Sequence, residues 1–239
     1  MRDLLDLRHD VRAVYWRYRR PDRVTYCGVR LRLDPRWATP RLRDSIYRGY
    51  YERQEHDILR ATLREGDRYM ELGAGIGFLA TCACQAVGAD NVFVYEANPD
   101  LIETIRQTTS ANGFDPKVTN AVLGDSVGAT DFYVHSDFWS SSLDPAPDAR
   151  RVSVPSRSFQ EELETVRPTY LTVDIEGGEV ALFEARKLPT FVRAICMEVH
   201  PAAAGIAETH RMLTSLFDDG FAVSFYWTAL SVVLLTREV

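Results

Sequence analysis

The sequence lacks the features of a membrane-bound or disulfide-rich protein. It has no run of about 18 apolar residues, the length that a membrane-spanning helix needs. Its N-terminal segment MRDLLDLRHD carries acids where a secretory signal needs an apolar stretch. Cysteine is scarce and has no CxxC spacing that would indicate a zinc site or a redox dithiol; the four residues are Cys27, Cys82, Cys84 and Cys196. We therefore expect a soluble, cytoplasmic protein with buried thiols and no membrane partner.

The composition excludes a disordered, collagenous or coiled-coil chain. Hydrophobic residues make up 46% and charged residues 26% of 239 residues, which favours one globular α/β domain with a large core. The net charge of −6 is uneven, because residues 1–68 hold 17 arginines and no lysine against 11 acids. This basic segment could contact an anionic substrate or a nucleic acid. Its arginines alternate with acids and aromatics, however, and this alternation favours solvated helix faces.

The segment before residue 67 has the pattern of an appendage. VTYCGVRLRLDP alternates apolar and polar residues around Gly28, which is typical of a short hairpin. Between residues 41 and 64 the apolar residues recur every three to four positions, which predicts one or two amphipathic helices. We therefore divide the chain into an appendage, 1–66, and a main domain, 67–239.

The main domain has the pattern of a parallel sheet covered by helices. Short continuous apolar runs predict strands that are buried on both faces, and helical stretches separate them. The strands are expected at 68–72, 91–96, 117–122, 169–174 and 192–199, and the helices at about 77–88, 98–112, 177–186 and 206–218.

Two further segments complete the expected fold. The C-terminal GFAVSFYWTALSVVLLTREV predicts two antiparallel strands, since their short connection leaves no room for a crossover helix. Residues 131–156, between the third and fourth strands, are rich in Ser, Asp and Pro. A long connection of this kind is often functional, so we interpret it as a loop that covers the substrate.

The segment MELGAGIGF is the strongest local signal. Gly73, Gly75 and Gly77 follow a strand and open a helix, an arrangement that brings backbone close to a ligand at the helix N-terminus. The dinucleotide fingerprint GxGxxG would need glycine where this chain has Phe78. Glu71 would repel a pyrophosphate and attract an ammonium or a sulfonium group. The expected ligand is therefore cationic at this end.

Acids follow the other strands at the edge of the sheet where ligands bind in open α/β folds. Glu96 ends the second strand, at the position of an acid that accepts hydrogen bonds from ribose hydroxyls. The remaining acids are Asp125, Asp174, Glu176 and Glu198. An acidic pocket of this kind suits a positively charged nucleoside, and S-adenosylmethionine fits it better than NAD or ATP.

Seven segments together resemble the FkbM-type methyltransferases, a branch of the class I S-adenosylmethionine-dependent enzymes. They are GYYERQE, MELGAGIG, VYEANPD, NAVLGDSVG, VPSRSF, LTVDIEGGE and MEVH. The resemblance implies a Rossmann-like sheet of seven mostly parallel strands, the last antiparallel, with helices on both faces. It also implies methyl transfer to a hydroxyl oxygen of a sugar, a polyketide or another secondary metabolite.

The resemblance assigns roles to particular positions. The cofactor-binding residues that it implies are Glu71, Gly73, Gly75, Gly77, Glu96, Ala97, Asn98, Gly124, Asp125 and Asp174. Tyr51 and Glu52 match a tyrosine-glutamate pair of the family and could cover the cofactor. The chain departs from the family at Thr172, where lysine is frequent.

Transfer to a hydroxyl oxygen also needs a base, because the hydroxyl loses its proton. Asp174 and Glu176 are expected to shape the reaction centre, and His200 is favoured as the base because imidazole titrates near neutral pH. A second interpretation, in which His200 caps its strand, stays open. The candidate substrate contacts are His135, Trp139 and Glu198. No ligand spacing indicates a metal site.

Two other functions remain as alternatives. A nucleic-acid methyltransferase would use the arginine-rich segment, but the acidic edge would repel phosphates. A non-catalytic S-adenosylmethionine-binding protein would keep the fold without turnover. A small-molecule hydroxyl acceptor is the favoured partner, and apolar residues of the appendage or the C-terminal hairpin could form a homodimer.

Overall fold

The computed structural model describes residues 14–16, 18–125, 127–135, 141–145, 147–184, 186–228 and 231–238. None of the helices within these ranges is both long and apolar enough to cross a lipid bilayer.

Residues 20–66 of the appendage form a hairpin and two helices. Its elements are β1 (Arg23–Tyr26), β2 (Val29–Arg32), α1 (Pro40–Arg48) and α2 (Arg53–Thr62). The hairpin alternates exposed and buried residues along both strands, as its sequence pattern predicts. Thr39 caps α1, with its side chain accepting a hydrogen bond from the backbone N–H of Leu42, and Gly49 ends the helix in the left-handed conformation. The apolar faces of both helices pack into the same core as the main domain.

The main sheet has seven strands in the order β11-β12-β10-β9-β3-β4-β5. Its strands are β3 (Tyr69–Leu72), β4 (Val92–Glu96), β5 (Lys117–Asn120), β9 (Tyr170–Val173), β10 (Ala194–Glu198), β11 (Ala222–Val223) and β12 (Val232–Thr236). Neighbouring strands from β10 to β5 are parallel, and β12 runs antiparallel to both β10 and β11. The Rossmann-like fold with an antiparallel last strand is thus confirmed.

Helices cover both faces of this sheet because its central strands are apolar on both sides. Tyr69 and Tyr170 face one cluster, and their neighbours Met70 and Leu171 face the other. The first cluster lies under α3 (Phe78–Val87) and α4 (Pro99–Ala111), with a short 3₁₀ turn at Ala89–Asn91. The second lies under α5 (Phe159–Val166), α6 (Glu179–Phe183) and α8 (Ile206–Asp218), which follows the short α7 (Pro201–Ala204).

The segment between the third and fourth expected strands contains β-structure at both of its ends, which the prediction of a loop did not include. It forms a second sheet in the order β6-β8-β7, built from β6 (Val122–Gly124), β7 (Gly128–Val134) and β8 (Arg150–Ser158). The strand expected at 117–122 is therefore divided between two sheets. Pro155 lies inside β8 and pairs in register with Ala129. The sequence pattern does not predict this strand, because its alternation of apolar and polar residues is weak and proline is rare inside strands.

A buried ion pair between Asp67 and Arg193 lies at the amino-terminal edge of the main sheet, just before β3 and β10. Asp67, which is 6% exposed, accepts hydrogen bonds from the Arg193 guanidinium and from the Thr169 hydroxyl at 2.6 Å. It also accepts one from the backbone N–H of Arg64 at 2.7 Å. Burial alone would raise the pKa of Asp67, but these hydrogen bonds hold it below its ordinary value.

We predict that Asp67→Asn lowers the free energy of unfolding by about 3 kcal/mol, because Arg193 loses its buried counter-ion. The wild type should also lose stability as the pH falls through the lowered pKa of Asp67, and the variant should lose less. Urea denaturation at several pH values measures both effects. The exposed Asp115→Asn serves as control, and equal losses in the two variants would contradict this account of the pair.

Candidate active site

A cavity of about 1080 Å³ opens at the carboxyl edge of the main sheet. The segments that follow β3, β4, β6, β9 and β10 form one wall, and α2 with its preceding turn forms another. The volume lies at the upper limit for a site that holds one small molecule. The cavity can therefore accommodate a cofactor together with a second molecule.

The glycine loop is shaped by its protein neighbours as much as by a ligand. Gly73, Gly75 and Gly77 all have positive φ, which glycine adopts readily. A Cβ atom at Gly73 would overlap the carbonyl oxygen of Asp174, and one at Gly77 would lie 3.1 Å from the Cα of Ile105. Gly73 and Gly75 line the cavity, whereas Gly77 caps the start of α3.

Glu96 connects the glycine loop to the end of β4. One carboxylate oxygen accepts hydrogen bonds from the backbone N–H groups of Ala74 at 3.0 Å and Gly75 at 3.1 Å. The other accepts one from the backbone N–H of Asn98 at 2.7 Å. Burial raises the pKa of Glu96, and these three donors oppose that rise. Glu96 lines the cavity, so its remaining acceptor capacity is available to a ligand.

The two residues after Glu96 separate into different roles. Ala97 lines the cavity. Asn98 is buried and caps α4, where its side chain accepts a hydrogen bond from the backbone N–H of Asp100 at 3.1 Å. The structure thus brings Ala97 to the site and places Asn98 behind it.

Glu71 lies beneath the glycine loop and does not line the cavity. It is 1% exposed, and its Oε2 atom accepts no hydrogen bond. Burial and the nearby charge of Glu96 raise its pKa. Thr172 pairs with Glu71 across β3 and β9 and also has an unpartnered buried oxygen. Because threonine replaces the lysine that is frequent in the family, Glu71 has no cationic neighbour on that strand.

Three of the predicted residues converge beyond the ends of β9 and β10. The Nε2 atom of His200 lies 3.3 Å from a Glu176 oxygen and 3.7 Å from Asp174 Oδ1. Its Nδ1 atom lies 3.1 Å from Glu179 Oε1. Burial alone would lower the pKa of His200, but the hydrogen bond to Glu179 and the charges of Asp174 and Glu176 raise it to about 9. His200 is therefore an imidazolium at neutral pH in the unliganded protein.

The acids around His200 also have raised pKa values. Burial and the Glu198 charge raise the pKa of Glu176 to about 7. Burial and the charges of Glu198 and Glu176 raise the pKa of Asp174 as well. A carboxylate that titrates near neutral pH can both hold and release a proton during a reaction.

Sequence reasoning missed two acids of this region. Glu179 is 1% exposed and accepts hydrogen bonds from the backbone N–H groups of Ile175 and Gly177, both at 3.1 Å. Glu55 lies on α2, lines the cavity, and has its pKa raised to about 7 by burial. The DIEGGE segment contains Glu179, which was a usable signal. Nothing in the sequence pattern of the appendage distinguished Glu55 from a solvated helix residue.

Glu52 brings a further acid from the appendage into the cavity. It has φ 43° and lines the cavity beside Tyr51. Its Oε2 atom is inaccessible to solvent and accepts no hydrogen bond from any residue that the structure describes. Burial raises the pKa of Glu52, and Glu71 and Glu55 add to that rise. An acceptor in this condition fits a cationic donor from a ligand.

The other predicted contacts divide between the cavity and its surroundings. Gly124 and Asp125 both line the cavity. The exposed side chain of Asp125 forms an ion pair with Arg186. Glu198 lines the cavity too. The backbone N–H of His135 donates to the Ser141 hydroxyl at 3.0 Å, and the cavity lining includes Ser141 but not His135. Trp139 lies outside the described residues.

The chain belongs to the FkbM methyltransferase family. Residues 71–223, more than half of the chain, match the methyltransferase FkbM domain. The match confirms the resemblance to this family and identifies an S-adenosylmethionine-dependent methyltransferase. The motif GYYERQE, at residues 49–55, lies outside the matched residues. A comparison with curated proteins found no match.

Two solved structures are among those to which this chain is similar. A precorrin-6y C5,15-methyltransferase from Geobacter metallireducens is 14% identical, with a TM-score of 0.44; the alignment covers 78% of this chain and 87% of the other. Fibrillarin from Aeropyrum pernix, in complex with S-adenosyl-L-methionine, is 12% identical, with a TM-score of 0.40 and coverages of 76% and 73%.

The overlap at Gly73 gives a stability prediction. Gly73→Ala should cost clearly more free energy of unfolding than Gly113→Ala, since both residues have positive φ but nothing lies within 4 Å of a Cβ at Gly113. We expect about 1 to 2 kcal/mol for Gly113→Ala and roughly 1 to 3 kcal/mol more for Gly73→Ala. Urea denaturation of both variants measures the difference. Equal losses would mean that the Asp174 carbonyl does not constrain this position.

Proposed function

We propose that this methyltransferase transfers the methyl group to a hydroxyl oxygen of a small molecule, such as a sugar, a polyketide or another secondary metabolite. The observation that carries the proposal is the cluster of Asp174, Glu176 and His200 in the same cavity as the glycine loop. A hydroxyl is a weak nucleophile until a neighbouring group takes its proton. This cluster supplies titratable groups for that purpose.

The residues present fit S-adenosylmethionine, which supplies a methyl group activated by its sulfonium. Glu96 has acceptor capacity for ribose hydroxyls, and Gly73 and Gly75 allow the ligand to approach the backbone. The unpartnered oxygen of Glu52 fits the ammonium group. Four other predicted cofactor contacts also line the cavity: Ala97, Gly124, Asp125 and Asp174.

The roles within the cluster follow from its protonation. We expected His200 to be the base, but an imidazolium has to lose its own proton before it can accept another. We therefore assign proton acceptance to Glu176 and assign to His200 the orientation of the surrounding carboxylates. Asp174 and Glu198 then position the acceptor, with Glu198 as a substrate contact. His135 and Trp139 remain predicted substrate contacts from sequence.

The charge of the cavity supports a small acceptor over a nucleic acid. Glu52, Glu55, Glu176 and Glu198 line it together with only two arginines, Arg41 and Arg53, among the described residues. Those acids that are ionised repel phosphodiesters. The cytoplasmic location, the absence of a membrane partner and the homodimer remain predictions from sequence.

The cofactor site is tested by Glu96→Gln. We expect the affinity for S-adenosylhomocysteine to fall about 10- to 100-fold, as for loss of hydrogen bonds to a charged group. Isothermal titration calorimetry measures the affinity, with NAD as a ligand that should not bind. The control is Glu103→Gln, an exposed acid on α4. Unchanged affinity in Glu96→Gln would contradict the assigned role.

The acceptor class is tested by methyl transfer from labelled cofactor to a panel of monosaccharides, polyketide alcohols and total RNA. We expect methyl ethers on a hydroxyl compound, and a kcat about 10²- to 10⁴-fold lower in Glu176→Gln with unchanged cofactor affinity. Glu164→Gln, an exposed acid on α5, is the control. Transfer to RNA alone would contradict the proposal, and cofactor binding without transfer to any acceptor would favour the non-catalytic alternative.

A further inference from the structure

Three metal-ligating side chains converge at the edge of two neighbouring strands. Asp174 follows β9, and Glu198 and His200 lie at the end of the parallel strand β10. One ligand atom from each residue lies within 4.8 Å of the other two. One imidazole nitrogen and two carboxylate oxygens at these separations can bind a single cation.

The imidazole ring of His200 is held by a carboxylate, as the rings of metal-binding histidines usually are. Its Nδ1 atom lies 3.1 Å from the carboxylate of Glu179, which is 1% exposed and is itself held by the backbone N–H groups of Ile175 and Gly177. This contact turns Nε2 toward Glu176, at 3.3 Å, and Asp174, at 3.7 Å. Histidines that bind metals typically donate their other ring N–H to a carboxylate, which fixes the tautomer and the ring orientation.

Glu198 is oriented in a comparable way. The Ser231 hydroxyl donates a hydrogen bond to Glu198 Oε1 at 2.7 Å. The second oxygen of the carboxylate is left for the cavity, which Glu198 lines. Two of the three candidate ligands therefore have a protein partner that fixes their direction.

Two carboxylates of this region are poorly compensated. No described residue donates a hydrogen bond to Asp174 Oδ1, which is inaccessible to solvent and lies 3.7 Å from His200 Nε2. Glu55 is 9% exposed, lines the same cavity, and forms no side-chain hydrogen bond with another residue in the described part of the chain. The Glu198 charge acts on Glu55, and the Glu55 charge acts on Asp174. Carboxylates buried without a hydrogen-bond donor are costly, and a bound cation would compensate them.

We propose that Asp174, Glu198 and His200 bind a divalent transition-metal ion, which would displace the proton from His200 Nε2, although no ligand spacing in the sequence indicated one. The imidazole ligand favours an ion such as Mn²⁺, Fe²⁺ or Zn²⁺ over Mg²⁺ or Ca²⁺. Three protein ligands leave coordination positions open to the cavity. A role for the ion in lowering the pKa of the acceptor hydroxyl rests on the proposed function, whereas its binding does not.

Manganese binding to the full-length protein, first treated with a chelator and dialysed, tests the site. Electron paramagnetic resonance detects loss of the free Mn²⁺ signal without cofactor or acceptor present. We expect about one ion per chain, with a dissociation constant below about 1 mM. Zn²⁺ added afterwards should displace Mn²⁺, and Mg²⁺ at the same concentration should not.

Matched variants locate the ion. His200→Gln and Glu198→Gln should weaken Mn²⁺ binding at least about 10-fold, and Glu179→Gln should weaken it about 10- to 100-fold through loss of ligand orientation. His210→Gln and Glu164→Gln, which change exposed residues, should bind as the wild type does. Circular dichroism shows which variants are folded, and the wild-type stoichiometry is independent of them.

Two results would overturn the proposal: no saturable Mn²⁺ binding by the wild type, or equal binding by the folded ligand variants and their controls. Neither result would change what is concluded about cofactor affinity or methyl transfer, because those are measured separately. Conversely, specific Mn²⁺ binding without methyl transfer would support the site and count against the proposed function.

Discussion

The close approach of the chain after β3 to the chain after β9 is the constraint on which the site depends. The backbone N–H of Asp174 donates to the carbonyl of Leu72 at 2.9 Å, and the absence of a side chain at Gly73 leaves room for the Asp174 carbonyl. This contact places the glycine loop against the segment that carries Asp174 and Glu176. The glycine loop and the acid cluster therefore share one wall of the cavity. A side chain at Gly73 would separate these two groups, which the proposed reaction needs together.

The second constraint is electrostatic. The strands β3, β4, β9 and β10 and the helix α2 all contribute carboxylates to one region. Burial and the charge of Glu198 raise the pKa of Glu176 and Glu55 to about 7, and Glu179, Asp174 and Glu176 raise that of His200. Bound protons reduce the repulsion between these acids. A cationic cofactor, and the metal ion proposed above, would replace those protons with fixed positive charge.

The sequence alone predicted the main sheet well because its strands are buried on both faces and appear as continuous apolar runs. Glu71 and Thr172 show the limit of this signal, since both are polar residues inside such runs and only the strand pairing makes them neighbours. The second sheet was missed because β7 and β8 alternate weakly and contain Pro155. Strand pairing between β7 and β8 depends on contacts distant in sequence, which periodicity does not report.

The site was predicted in part for a related reason. Acids at the ends of parallel strands meet at one edge, so Glu96, Asp174 and Glu198 followed from topology. Glu55 could not, since α2 reaches the cavity only through tertiary packing. The protonation of His200 also depends on Glu179, a contact between residues far apart in the chain.

The central claim is that one cavity holds the cofactor with its reactive end at the acid cluster. A crystal structure of the protein with S-adenosylhomocysteine tests it most directly. The account predicts the ribose hydroxyls on Glu96 and the sulfur atom facing Asp174 and His200. A sulfur atom that faces away from these residues, or a ligand bound outside the cavity, would contradict it.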